Sequence, residues 1–209
     1  MMKKTQVLLK KLRFTVVVAS LVTLCVQPSY SLEATAWRSP NKQEISTKNL
    51  RQAEVHNNRG VELAGQGRVP EAIAAFNQAI EIYPNYENAH NNLGLALGSQ
   101  KQFSEAADAF KHALSINPVN FETYNNLGIA LGSQGKFSEA IAAFKQAIQI
   151  KPNDPTSHQN LALAFWSGGK KPEAITFLHK AKQLYSLQNN PEAINQIEEI
   201  LQQLSGARD

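Results

Sequence analysis

The chain has 209 residues, with 21 Lys and Arg against 17 Asp and Glu, a formal charge of +4 and a single cysteine. The positive excess is local: Lys3, Lys4, Lys10, Lys11 and Arg13 precede every acidic residue, and without these five the chain holds 16 basic against 17 acidic side chains, a net of −1. A near-neutral body excludes electrostatic attraction to nucleic acid as the basis of its function, and one cysteine excludes an internal disulfide framework.

Residues 1–31 read as a signal peptide: a basic stretch from Lys3 to Arg13, the apolar run "FTVVVASLVTLCV" from Phe14 to Val26, then small residues. The run is shorter than the roughly 20 apolar residues a spanning helix needs, so cleavage is expected rather than anchoring. Ser29 and Ser31 place the cut before Leu32, and Ala34 with Ala36 offers a second site. Either cut removes Cys25, and Leu24 before it argues against lipid attachment there. The destination is then the periplasm, a thylakoid-type lumen or the medium; a retained leader would instead anchor the protein in the membrane. Residues 32–52 show no sustained apolar period and are expected to form a flexible tether, with Trp37 as its one large aromatic.

From about Ala53 the chain repeats with a period of 34. Pro84, Pro118 and Pro152 fall in register, as do Gly60, Gly94 and Gly128 with Ala162. So do Ala72, Ala106, Ala140 and Ala174; Phe76, Phe110 and Phe144 with Leu178; and Ala79, Ala113, Ala147 and Ala181. These columns resemble the tetratricopeptide repeat, whose unit is a pair of antiparallel helices. The resemblance implies an all-α fold: a right-handed α-solenoid of four helix pairs, residues 53–86, 87–120, 121–154 and 155–188.

The spacing has its own physical sense. His90, Gly94 and Leu97 form one stripe of a helix, and Ala106, Phe110 and Ala113 put a ring between two small side chains on the next. Glycine in mid-helix costs up to about 1 kcal/mol relative to alanine, so its recurrence implies a close neighbour. The turns "GQGRVPEA", "GSQGKFSEA" and "SGGKKPEA" end one helix with glycine and open the next with Pro-Glu or Ser-Glu. The fourth unit departs from the pattern as an end unit would, with Ser186 for the proline and Lys182 for isoleucine or leucine. Residues 189–209 follow as a capping helix and tail, with Asn190 as cap, Ile194, Ile197, Leu201 and Leu204 inward, and Gln196, Glu199, Gln202 and Gln203 outward.

"NNLGLALGSQ" at Asn91 and "NNLGIALGSQ" at Asn125 carry paired amides. Set against the packing stripe, Asn88, Asn91, Asn92, Leu95 and Ser99 fall at roughly 80 to 200° by the helical period, on the expected inner wall of the stack. One column through that wall is Asn58, Asn92, Asn126 and Asn160; another is Asn57, Asn91 and Asn125, with Gln159 in the fourth unit. Units two and three differ at nine of the twenty-eight positions from Asn91 to Pro118 and Asn125 to Pro152, yet keep both amides. An amide offers donor and acceptor together, so a row of them can hold the backbone of an extended peptide whatever its side chains. The first column is similar to the asparagine ladder of the repeat superhelix of the O-linked N-acetylglucosamine transferase, which implies the same binding mode for these four residues and no glycosyl transfer. A ladder of merely solvated side chains is the competing reading.

The wall also carries Glu54, Glu122, Thr156, Val61, Leu95, Ile129 and Leu163 and no Lys or Arg, which suits a neutral or mildly basic segment. Trp166 stands where the other units have Ala64, Gly98 and Gly132, either plugging the groove beside the cap or anchoring a partner side chain. His56, His90 and His158 share a packing column with Tyr124, while His112 and His179 lie in neighbouring outer columns of the second helices, so neither set is expected to bind metal. The glycine strings lack the strand a phosphate loop follows, and nothing specifies a nucleophile. The sequence thus describes a protein-binding adaptor without catalysis or cofactor; its rival is a scaffold that associates with itself.

Overall fold

The computed structural model describes residues 42–206, which form nine α-helices: α1 (Lys42–Gly65), α2 (Val69–Ile82), α3 (Glu87–Ser99), α4 (Phe103–Ile116), α5 (Phe121–Ser133), α6 (Phe137–Ile150), α7 (Pro155–Ser167), α8 (Lys171–Leu187) and α9 (Pro191–Gly206). The leader, Trp37 and the cleavage sites lie outside the described residues.

Local chemistry sets the helix ends. Tyr83, Asn117 and Lys151 each precede a proline, whose ring pushes the residue before it out of the helical region. Their ψ angles of 88, 91 and 83° close α2, α4 and α6. Where Ser186 replaces the proline nothing stops the turn, and α8 runs to 17 residues against 14 in the other second helices. Asn120 and Asp154 cap α5 and α7 by accepting from the backbone N–H of Thr123 (3.0 Å) and Ser157 (2.8 Å). Between first and second helices the chain passes through a left-handed residue: Gly67, Gly135 and Gly169 at φ near 75°, and in unit two Lys101 at 62°. In the first turn of α2, Glu71 is held below the usual carboxylate pKa by its own backbone N–H and then by Arg68, 3.1 Å away.

Within each pair, glycine and phenylalanine interlock. A methyl group on Gly60, Gly94 or Gly128 would come within 2.5–2.6 Å of the Phe76, Phe110 or Phe144 ring, and all three rings are buried. The mid-helix glycines are therefore sockets for the facing rings, each of which contributes about 2–3 kcal/mol on burial. Unit four uses the smaller ring-free combination, Ala162 with Leu178, both buried.

Helices pack in order, each on the next, and α1 also touches α3, α3 touches α5 and α5 touches α7. The second helices α2, α4, α6 and α8 make no such contacts with one another among the described residues. First helices lying closer together than second helices make the stack curve with α1, α3, α5 and α7 inside. The fold is an all-α tetratricopeptide-type solenoid, closed at its far end by α9.

Both ends are finished chemically. In α9, Ile197 and Leu204 are fully buried, Asn190 accepts from Ala193 N–H at 3.1 Å, and Gln196, Glu199, Gln202 and Gln203 are exposed. Lys182, anomalous in its column, reaches Glu198 of α9 at 2.6 Å. At the other end the expectation of a flexible tether over residues 32–52 needs correction, because helix begins at Lys42. No proline or glycine interrupts residues 42–59, and Lys, Gln, Glu, Leu and Arg are good helix formers, so α1 propagates backwards past the first unit. The face of α1 that a preceding unit would cover carries Arg59 and Glu62, where the later first helices carry Leu93, Leu127 and Leu161 and the alanines Ala96, Ala130 and Ala164. Charged residues there make α1 the near cap.

Candidate functional site on the inner wall

The inner wall is built by the exposed sides of α1, α3, α5 and α7, and three columns define it. The first is apolar: Val61, Leu95 and Ile129 are each about half exposed, at 49, 48 and 49 %, with Leu163 half-buried at the fourth place. The second is Glu54, Asn88, Glu122 and Thr156, all exposed. The third is Asn58, Asn92, Asn126 and Asn160, the first exposed and the others half-buried. None of these twelve positions carries a positive charge to neutralise the two glutamates.

The two amide columns part company. Asn57 and Asn125, expected on the free wall, are 5 and 7 % exposed, and Asn91 is half-buried. A first helix in a solenoid has neighbouring first helices as well as its own partner, and this column points at the following one. Asn57 Oδ1 accepts from Asn92 Nδ2 at 2.9 Å, Thr123 Oγ1 donates to Asn91 Oδ1 at 3.2 Å, and Asn125 Nδ2 donates to Ser157 Oγ at 2.7 Å. Ser157 in turn donates to the Asp154 cap at 2.6 Å. These amides bolt successive units together, and a bond buried this way contributes about 1 kcal/mol. Thr123 and Ser157 escaped the sequence reading because they lie in the column of Ala89, where no polar pattern is visible.

The other ladder makes fewer hydrogen bonds within the chain. Asn92 donates from Nδ2 to Asn57 and its Oδ1 accepts no hydrogen bond within the described residues, while Asn126 and Asn160 make no side-chain hydrogen bond there. Two of these amides stand in apolar clefts. Asn92 shares a hollow of about 320 Å³ with Val61, Val69, Phe76, Leu95 and Ser99. Asn160 shares one of about 240 Å³ with Ile129, Phe137, Phe144, Leu163 and Ser167. Residue for residue, the second set lies two repeats after the first. The second-helix contributors Val69, Phe76, Phe137 and Phe144 could have been found by following the period through the turn. Trp166 is 41 % exposed and lines neither cleft.

The histidine column works in packing. His90 and His158 each place Nε2 at 2.8 and 2.9 Å from the carbonyl oxygens of Pro84 and Pro152, donating to turn carbonyls just past α2 and α6. His158 is buried and stacks on Phe177; His90 stacks on the exposed His112. Among the described residues no three His, Cys, Asp or Glu side chains gather as a metal would require, and no helix is long and apolar enough to cross a membrane.

Sequence profiles of the TPR repeat match residues 60–101 and 130–169, and two profiles of the tetratricopeptide repeat match 87–120 and 109–142, so the matches run unbroken from 60 to 169. No curated protein matches the chain. Among solved structures, one described as the crystal structure of MamA is 25 % identical at a TM-score of 0.63, covering 70 % of this chain and 89 % of its own. Another, MamA MSR-1, is 28 % identical at 0.60, covering 65 and 78 %. The first TPR of Spaghetti (RPAP3), bound to the HSP90 peptide SRMEEVD, shares the fold at 21 % identity and a TM-score of 0.56, covering 57 and 95 %. Repeats of this kind are typically non-catalytic and support protein–protein adaptors. The chain belongs to the tetratricopeptide repeat family.

Proposed function

We propose that the protein is an adaptor that holds an extended segment of a partner protein along its inner wall. Asn92, Asn126 and Asn160 supply donors and acceptors to the segment's backbone, and Val61, Leu95, Ile129 and Leu163 take up its apolar side chains. The observation that carries this reading is the recurrence, two repeats apart, of an apolar cleft containing an asparagine with bonding capacity to spare. An amide with donor and acceptor unused by the chain, set beside apolar surface, suits a ligand that offers both kinds of contact. Glu54 and Glu122 select against an acidic segment such as the SRMEEVD of the RPAP3 complex and for a neutral or mildly basic one. The leader read in the sequence supports a place of action outside the cytoplasm, which amino-terminal sequencing of the mature chain tests.

The test of the adaptor reading is a comparative pull-down with residues 32–209 and an Asn126→Ala, Asn160→Ala version of equal helicity. Proteins retained by the first and lost by the second support the reading. The same proteins on both baits would remove the ladder from the binding site.

A further inference from the structure

The two clefts fix a distance, and a distance along a groove selects a spacing in whatever lies in it. First helices of successive units touch directly, through Asn57 and Asn92 at 2.9 Å and through Asn125 and Ser157 at 2.7 Å. Helices in such contact have axes about 8–10 Å apart. Clefts two repeats apart are therefore separated by roughly 16–20 Å. An extended chain rises about 3.3 Å per residue, so five or six residues span that gap.

Parity decides between them. In a strand, side chains alternate faces, and only an even separation returns the side chain to the groove. In a polyproline-type segment the repeat is three residues at about 3.1 Å, and six again returns to the same face at roughly 19 Å. Six is the one separation that satisfies both geometries.

Resting on the groove reading above, we propose that the protein recognises an extended segment bearing two large apolar side chains six residues apart. One sits in the cleft of Val61 and Leu95, the other in the cleft of Ile129 and Leu163. Between them the segment's backbone crosses Asn126, whose amide is free to bond it. The intervening wall carries Glu122 and no Lys or Arg, so the residues between the two anchors are neutral or basic.

The test is a set of fluorescein-labelled peptides of one length, built on a serine–threonine–lysine background, with two leucines separated by three to nine residues and a single-leucine control. Each is titrated with the mature chain, and anisotropy is read. The expected result is an optimum at a separation of six, about tenfold or more tighter than the control. Leu163→Ser or Val61→Ser, each with an unchanged circular dichroism spectrum, should return the six-residue peptide to the control's affinity. Affinity that is independent of spacing overturns the two-anchor proposal while leaving a peptide groove. Failure of every peptide, control included, to bind at all overturns the groove reading and this one with it.

Discussion

Replacing Gly128 by alanine separates two opposed effects. On an isolated helix the change is favourable by about 1 kcal/mol, since glycine loses more backbone freedom on folding. In the structure the new methyl would lie 2.6 Å from the Phe144 ring, which is 3 % exposed and would have to shift. Forcing a methyl into a packed site costs about 1–3 kcal/mol, so the balance is a net loss of roughly 1 kcal/mol. Unit four supplies the control, because it holds Ala162 and Leu178 at these two places, both buried. Phe144→Leu alone should cost about 1–2 kcal/mol through the void it leaves, and the Gly128→Ala, Phe144→Leu double variant should lose less than the two singles together, with a coupling of at least ~0.5 kcal/mol. Urea unfolding followed by circular dichroism measures all three, provided the m-value stays constant. A stabilised Gly128→Ala variant, or strict additivity in the cycle, would refute the ring-and-socket account.

Other consequences are checked by the same unfolding measurement. Asn125→Ala should lose about 1–2 kcal/mol because it removes the bond to Ser157 across the unit boundary, whereas Asn126→Ala, one residue on, should stay within ~0.5 kcal/mol and show its effect in peptide titration instead. Lys101→Gly should gain about 1 kcal/mol, since Lys101 holds a left-handed φ of 62° where the other three units have glycine. Asp154→Ala should cost about 1–2 kcal/mol by uncapping α7 and releasing Ser157.

Much of the architecture was legible in the chain because it rests on short-range rules repeated at fixed spacing. Prolines at Pro84, Pro118 and Pro152 stop helices by local sterics, and glycines facing phenylalanines announce close packing wherever they recur. The capping helix was readable for the same reason: a cap, an apolar stripe and a polar face are properties of sixteen consecutive residues. The start of α1 was not, since residues 42–52 lack an apolar stripe and are helical through propensity and continuity with the first unit.

The division of the amides required the tertiary structure. Asn91 and Asn92 are adjacent on one helix, 100° apart, and nothing in a single helix says which of the two points at the following unit. The direction in which the next first helix packs decides it, turning Asn57, Asn91 and Asn125 into bolts between units and leaving Asn92, Asn126 and Asn160 beside the groove. The sequence by itself thus determined the units, their sockets and their ends, because these follow from contacts within one helix or one helix pair. The curvature of the stack, the two clefts and the bonding state of each asparagine came only from the way successive pairs rest on one another.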